Sequence, residues 1–113
     1  MEDLELIAFK IISSVGSARS AYIEAIGKAK AGDLSGAEKL IEEGNKLFID
    51  GHGAHLKLLE GEANGDKVLS LLIIHAEDQL MSAEGFKTIA TEFIEAYKRI
   101  EALEKKVNAA KEL

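Results

Sequence analysis

A polar stretch in the third quarter of the chain carries the residue types that could do chemistry. His75 is followed by Asp78, Gln79 and Ser82, at steps of three, four and seven residues. On an α-helix these steps place all four side chains on one face. Free imidazole titrates near neutral pH, so His75 could act as an acid, a base, a metal ligand or a covalent nucleophile. With no cysteine or matched serine beside it, phosphoryl carriage is favoured over a hydrolytic triad, and a hydrogen-bonded core histidine is the structural alternative.

The elements around this stretch are predicted to be helices. The chain has no proline, and apolar residues recur at alternating steps of three and four. A length of 113 residues is typical of a single domain, here taken as residues 1–113. We predict an all-α, antiparallel, up-and-down three-helix bundle with helices over about residues 3–31, 34–60 and 66–111. Gly32 and Asp33 would form the first turn, as a helix stop and an N-cap.

The third predicted helix is too long and too apolar for its partners. At 1.5 Å per residue it would span roughly 69 Å, more than two shorter helices can cover. Its first turns, residues 68–74, are apolar almost all the way round, which indicates burial on every side. A symmetric oligomer would resolve both features, and these observations leave a dimer and a trimer open.

Charge and hydropathy exclude several classes of function. Fourteen basic residues against twenty acidic residues give a net charge of −6, which disfavours nucleic acid and anionic membrane surfaces as partners. The longest apolar run, residues 68–74, is far shorter than the roughly 20 residues of a membrane-spanning helix. Three of the first five residues are acidic, unlike the basic start of a signal peptide, and the absence of cysteine suits a reducing cytosol. We therefore expect a cytoplasmic protein with no direct membrane insertion.

The motif at residues 75–82, HAEDQLMS, resembles the HAQDHLMT motif of the lactose/cellobiose-specific IIA components of the bacterial sugar phosphotransferase system (PTS). The likeness extends to residues 15–20, 29–33 and 58–61. The resemblance implies a cytoplasmic homotrimer of three-helix subunits that acts as a phosphotransferase component during sugar uptake. It implies that His75 accepts a phosphoryl group from the carrier protein HPr and passes it to a IIB component. The sugar specificity is expected to lie in the membrane component.

A metal ion is expected beside His75. Three copies of Asp78 around a threefold axis would repel one another, and a hard cation such as Mg²⁺ would remove that repulsion. The resemblance likewise implies that Asp78 is a metal ligand. The expectation is one Mg²⁺ per trimer, held by Asp78 of each chain. No nucleotide site is expected, because the chain has no glycine-rich phosphate loop.

Several positions depart from the family pattern or offer supporting roles. Glu77 and Gln79 stand where the family usually has Gln and His. The family's AHxxQT segment here reads GHGAHL, which keeps His52 but places His55 where Gln is usual. Arg19 could contact a phosphoryl group or a partner. These departures leave two alternatives open: a helical structural or regulatory module that has lost phosphoryl transfer, and an oligomer in which His52, His55, His75 and Asp78 bind a metal.

Overall fold

A computed structural model of the chain describes residues 3–65 and 70–112. The described residues form three helices and no strand: α1 (Leu4–Lys30), α2 (Leu34–Ala63) and α3 (Leu71–Lys111). The predicted all-α, three-helix bundle is confirmed. None of the described helices is long and apolar enough to cross a membrane.

The first turn lies where the sequence predicts it. Gly32 has a φ of 90°, a left-handed conformation that glycine adopts without steric cost. The Asp33 carboxylate then accepts a hydrogen bond from the backbone N–H of Gly36 at 2.9 Å, which caps α2. The turn is therefore short, and α1 and α2 run antiparallel against each other.

The start of α3 differs from the prediction. Ser70 is extended, with φ −152° and ψ 161°, and its hydroxyl accepts a hydrogen bond from the N–H of Ile73 at 3.2 Å. A serine in this role begins a helix instead of continuing one, so α3 starts at Leu71, and the helix predicted from about residue 66 does not run unbroken through Ser70. Residues 66–69 lie outside the described part of the chain. At the other side of this connection α2 continues to Ala63, three residues beyond its predicted end.

Two glycines let α2 approach α1 closely. Gly44 is buried, and a Cβ at this position would lie 2.6 Å from Cε1 of Tyr22. A Cβ at Gly51 would collide with a methyl group of Val15. Tyr22 and Val15 are both fully buried. The two glycines lower the intrinsic helix stability of α2, but their lack of a side chain allows close packing against these residues.

Helix α3 buries one face against α1 and α2. The buried face recurs at helical spacing over Ile73, Ala76, Leu80, Ala83, Ala90 and Ile94. The opposite face is open in the single chain: Leu71 is 83% exposed and Ile74 is 52% exposed. The predicted burial of this segment on every side is therefore not met within one chain, and its coverage by other copies stays a prediction.

The far end of α3 runs past the other two helices. The last packed level joins Ile94 and Tyr97 to Leu34 on α2. One residue further along, the Lys98 ammonium lies 2.8 Å from the Glu38 carboxylate. Residues 102–112 are all exposed. About 20 Å of helix, residues 99–111, thus extends beyond the bundle.

Candidate functional site

His75 and Asp78 lie together on the open face of α3, one helical turn apart and both exposed. The buried residues Ile73 and Ala76 flank His75 and turn its side chain outward, because helical neighbours point in different directions. Neither His75 nor Asp78 makes a hydrogen bond or ion pair with the described part of the chain. His75 is thus not a buried core histidine in the single chain, and its imidazole is open to an incoming protein.

Arg19 reaches the same line of polar residues from α1. Its Nε donates a hydrogen bond to the Ser82 hydroxyl at 3.1 Å, and its guanidinium lies 4.8 Å from the ring centroid of Phe86. Ser82 follows Asp78 by four residues, so Arg19 is held beside the face that carries His75. The half-buried guanidinium stacked on an aromatic ring is a preorganised positive charge. This contact holds a positive charge beside the helix face that carries His75 and Asp78.

Glu77 is turned away from His75 and paired with His55. Two residues of helix separate His75 from Glu77 by about 200° around the axis. The Glu77 carboxylate lies 2.7 Å from Nε2 of His55 on α2. The His55 side chain is 14% exposed and the Glu77 side chain is 48% exposed. Two positions that the sequence marked as departures from the family are therefore each other's partners.

His52 has a different environment from His55, although both are on α2. Its ring stacks on Phe48, with centroids 6.1 Å apart and an interplanar angle of 20°. The ammonium of Lys87 lies 5.8 Å from the centroid of the same Phe48 ring. Stacking on Phe48 is enough to explain the position of the His52 ring. A supporting role for His52 in the site stays a prediction.

The described residues hold no group of three or more His, Cys, Asp or Glu side chains that could bind a metal. Asp78 offers a single exposed carboxylate per chain, so a site built on it would have to be completed by other copies. The Asp78 side chain suits Mg²⁺ by its chemistry, because carboxylate oxygen is a ligand that Mg²⁺ prefers. Gln79, beside Asp78, is half-buried and makes no hydrogen bond with the described residues.

The two altered pKa values lie outside this site. Burial raises the pKa of Tyr22 to about 12, and its hydroxyl donates to Oδ1 of Asn45 at 2.8 Å. Hydrogen bonds to Glu38 and Glu95 raise the pKa of Lys98, which keeps it charged at the end of the bundle. Both groups are structural: the first joins α1 to α2 and the second joins α2 to α3.

Phe86 is the residue that sequence reasoning missed. It lies four residues after Ser82 and holds the Arg19 guanidinium against the polar line. The sequence does show an aromatic residue one helical turn after Ser82, which indicates that both side chains lie on the same face of α3. The pairing with Arg19 was hidden, because the sequence does not give the rotation of α1 relative to α3.

Comparison with known proteins gives one consistent family. Residues 6–98 match the family described as PTS system, lactose/cellobiose-specific IIA subunit. The chain is 39% identical over 99 residues to the lactose-specific EIIA component of Staphylococcus aureus strain N315, covering 87% of this chain and 96% of that protein.

Solved structures agree with the sequence matches. The crystal structure of the PTS cellobiose-specific enzyme IIA from Bacillus anthracis superposes with a TM-score of 0.86 at 37% identity, covering 90% of this chain and 94% of that one. The IIA(chitobiose) chain in the solution structure of its complex with HPr, from Escherichia coli, gives a TM-score of 0.77 at 30% identity, covering 89% and 99%. The chain therefore shares both its three-helix fold and its sequence over residues 6–98, which include residues 75–82, with this family.

Proposed function

We propose a specific carrier role from the premise that this chain belongs to the PTS lactose/cellobiose-specific IIA subunit family. In this role the chain accepts a phosphoryl group from HPr on His75 and passes it to a lactose/cellobiose-type IIB component during sugar uptake. The observation that carries the proposal is the exposed imidazole of His75 within the family motif, which has no hydrogen-bond or ion-pair partner among residues 3–65 and 70–112. The similar E. coli protein, solved in complex with HPr, supports the choice of donor.

The reaction needs one reactive nitrogen and no nucleotide. A neutral ring nitrogen of His75 attacks the phosphorus of phosphorylated HPr, a new N–P bond forms, and the N–P bond of the donor histidine breaks. The electron pair of the broken bond returns to the donor ring. In the second step the IIB nucleophile attacks the same phosphorus and restores free His75. The chain is therefore a transferase component whose intermediate is phosphohistidine.

The site must tolerate added negative charge. Phosphorylation adds roughly −1.5 to −2 charge, taking the phosphoester value as a guide. Arg19 supplies a positive charge beside the same face, fixed by Ser82 and Phe86. We propose that Arg19 steadies the phosphorylated state electrostatically, while Glu77, turned away and paired with His55, does not oppose it.

The proposed assembly is a homotrimer that shares one Mg²⁺. Asp78 of each chain would hold the ion, which would neutralise carboxylates that otherwise repel one another. The open face of α3 supports this arrangement, because Leu71 and Ile74, which precede Asp78 by seven and four residues on the same side of the helix, are apolar and exposed. The proposed location is the cytoplasm, where an HPr donor and the cytoplasmic face of a sugar transporter would be accessible.

The proposal is tested by following phosphoryl transfer through the chain. Phosphorylated HPr is mixed with wild-type protein or His75→Ala, a lactose/cellobiose-type IIB component is added, and intact masses are read without acid. We expect one phosphoryl group on the wild-type chain, its passage to IIB, and neither event with His75→Ala. His52→Ala is the matched control and should behave as wild type. Failure of the folded wild-type protein to accept phosphoryl from several HPr donors would contradict the carrier role.

A further inference from the structure

The end of α2 joins two residue types that favour spontaneous loss of a side-chain amide. Asn64 is the C-cap of α2, and Gly65 follows it with a φ of 96°. Both residues are exposed, and the Asn64 side chain makes no hydrogen bond with the described part of the chain. Asparagine followed by glycine is prone to deamidation, because glycine has no side chain to hinder attack by its backbone nitrogen on the asparagine amide.

The reaction is an intramolecular ring closure followed by hydrolysis. The backbone nitrogen of Gly65 loses its proton to solvent hydroxide and attacks Cγ of Asn64. A new N–C bond forms, the bond from Cγ to the amide nitrogen breaks, and that nitrogen leaves as ammonia with a proton from water. Water then opens the succinimide ring at either of its carbonyl carbons, which leaves an aspartate or an isoaspartate at position 64.

The backbone around Asn64 can open without unfolding the bundle. The N–H of Gly65 donates to the Glu62 carbonyl at 3.0 Å, and the N–H of Asn64 donates to the Glu60 carbonyl at 3.0 Å. These bonds belong to the last turn of a helix, and helix ends fray. Residues 62–65 are exposed, so their opening uncovers no buried side chain. Ring closure at this position therefore competes only with the local order of the cap.

The other asparagines of the chain lack this combination. Asn45 lies inside α2, precedes a lysine, and its Oδ1 accepts a hydrogen bond from the Tyr22 hydroxyl at 2.8 Å. Asn108 lies within α3 and precedes an alanine. Asp50 does precede a glycine, but Gly51 is buried inside α2, where the backbone is held by the contact with α1. The chain therefore concentrates this reactivity at Asn64.

Loss of the Asn64 amide adds a negative charge at an unfavourable place. The C-terminal end of a helix carries partial negative charge, so a carboxylate there is destabilising. The last turn of α2, which lies wholly in the described part of the chain, contains Glu60 and Glu62 and no basic residue. The isoaspartate form also lengthens the backbone by one carbon atom, which breaks the geometry of the cap. Both products therefore loosen the end of α2.

The position adjoins the element that carries the candidate site. Ser70, six residues after Asn64, is the N-cap of α3, and His75 lies five residues further along. We propose that Asn64 is a site of slow, spontaneous deamidation that irreversibly loosens the C-terminal end of α2 as the protein ages. This modification goes beyond the proposed carrier function and does not depend on it, because its reacting atoms belong to Asn64, Gly65 and water.

The first test follows the Asn64 amide in folded and unfolded protein. The full chain is incubated at mildly alkaline pH with and without urea, and peptide masses over time report conversion of each amide to a carboxylate. We expect Asn64 in the folded protein to react within about tenfold of its rate in urea, because a fraying helix end opens readily. Asn45 and Asn108, within helices, should react at least about tenfold more slowly than Asn64. Retention of the Asn64 amide in the folded protein, while the same residue reacts in urea, would overturn the proposal.

The second test measures what the new charge does to the helix end. Asn64→Asp reproduces the aspartate product, and Asn108→Asp is the matched control, since it makes the same change in the last turn of α3. We expect Asn64→Asp to lower the hydrogen-exchange protection of residues 62–65 about two- to fivefold, the effect of an unfavourable charge at a helix end. Asn108→Asp should leave the protection of residues 62–65 unchanged. Equal protection in wild type and Asn64→Asp would overturn the loosening of α2.

Discussion

Replacing Glu77 by glutamine should weaken a cross-link between α2 and α3 close to His75, because it removes the carboxylate charge and leaves only an amide oxygen as acceptor. The link is the 2.7 Å contact between the Glu77 carboxylate and Nε2 of His55. A hydrogen bond to a charged group contributes about 1.5–3 kcal/mol when well shielded, and an exposed ion pair about 0.2–1 kcal/mol. The His55 side chain is only 14% exposed but Glu77 is 48% exposed, so we place the coupling between them at about 0.5–1 kcal/mol.

The coupling is measured with a double-mutant cycle. The free energy of unfolding in urea at pH 7 is compared for wild type, Glu77→Gln, His55→Gln and the double variant. Glu84→Gln is the matched control, since it makes the same change at an exposed position of α3 with no side-chain partner among the described residues. It should change the free energy of unfolding by less than about 0.5 kcal/mol.

The cycle also bears on the site. Glu77 lies on the far side of α3 from His75, so Glu77→Gln should change the rate of phosphorylation by HPr less than about threefold. A coupling below about 0.2 kcal/mol would refute the interaction between His55 and Glu77. A change of about tenfold or more in the phosphorylation rate would refute the separation of Glu77 from the reacting face.

Further predictions concern packing, pH and metal. Tyr22→Phe should lower the free energy of unfolding by about 1 kcal/mol through loss of the bond to Asn45. Burial raises the pKa of Tyr22 to about 12, so the unfolded chain loses this proton at a lower pH than the folded chain does. The free energy of unfolding in urea should therefore fall between about pH 10 and pH 12 more for wild type than for Tyr22→Phe. Gly44→Ala should destabilise, because overpacking against Tyr22 costs about 1–3 kcal/mol against a propensity gain of about 1, whereas Gly53→Ala, in open space, should stabilise. Asp78→Asn should abolish any Mg²⁺-dependent rise in melting temperature and trimer content, by calorimetry and sedimentation; an unchanged Mg²⁺ response would contradict the proposed ligand.

Much of the fold follows from local chemistry that the sequence displays. Gly32 and Asp33 specify the first turn because one adopts a left-handed conformation and the other caps a helix. Ser70 was not recognised as a cap because it lies within an apolar run and reads as a helix interior. The glycines of α2 look like weak points in sequence, yet Gly44 and Gly51 serve close packing against α1.

The site was predictable in its position but not in its contacts. Helical spacing alone places His75 and Asp78 on one face of α3, and both are exposed there. The pairing of Glu77 with His55 depends on the rotation and relative height of two helices, which periodicity within each helix does not give. The contact from Arg19 to Ser82 is hidden for the same reason. The roles of His75 and Asp78 stay predictions.

The most direct test of the account locates the phosphoryl group among the three histidines of the chain. Single His→Ala variants at positions 52, 55 and 75 are each incubated with phosphorylated HPr, and the phosphorylated mass is followed at neutral pH. The account predicts that only His75→Ala fails to gain one phosphoryl group, while the other two variants gain it as wild type does. Phosphorylation of folded His75→Ala would contradict the assignment of His75 as the carrier.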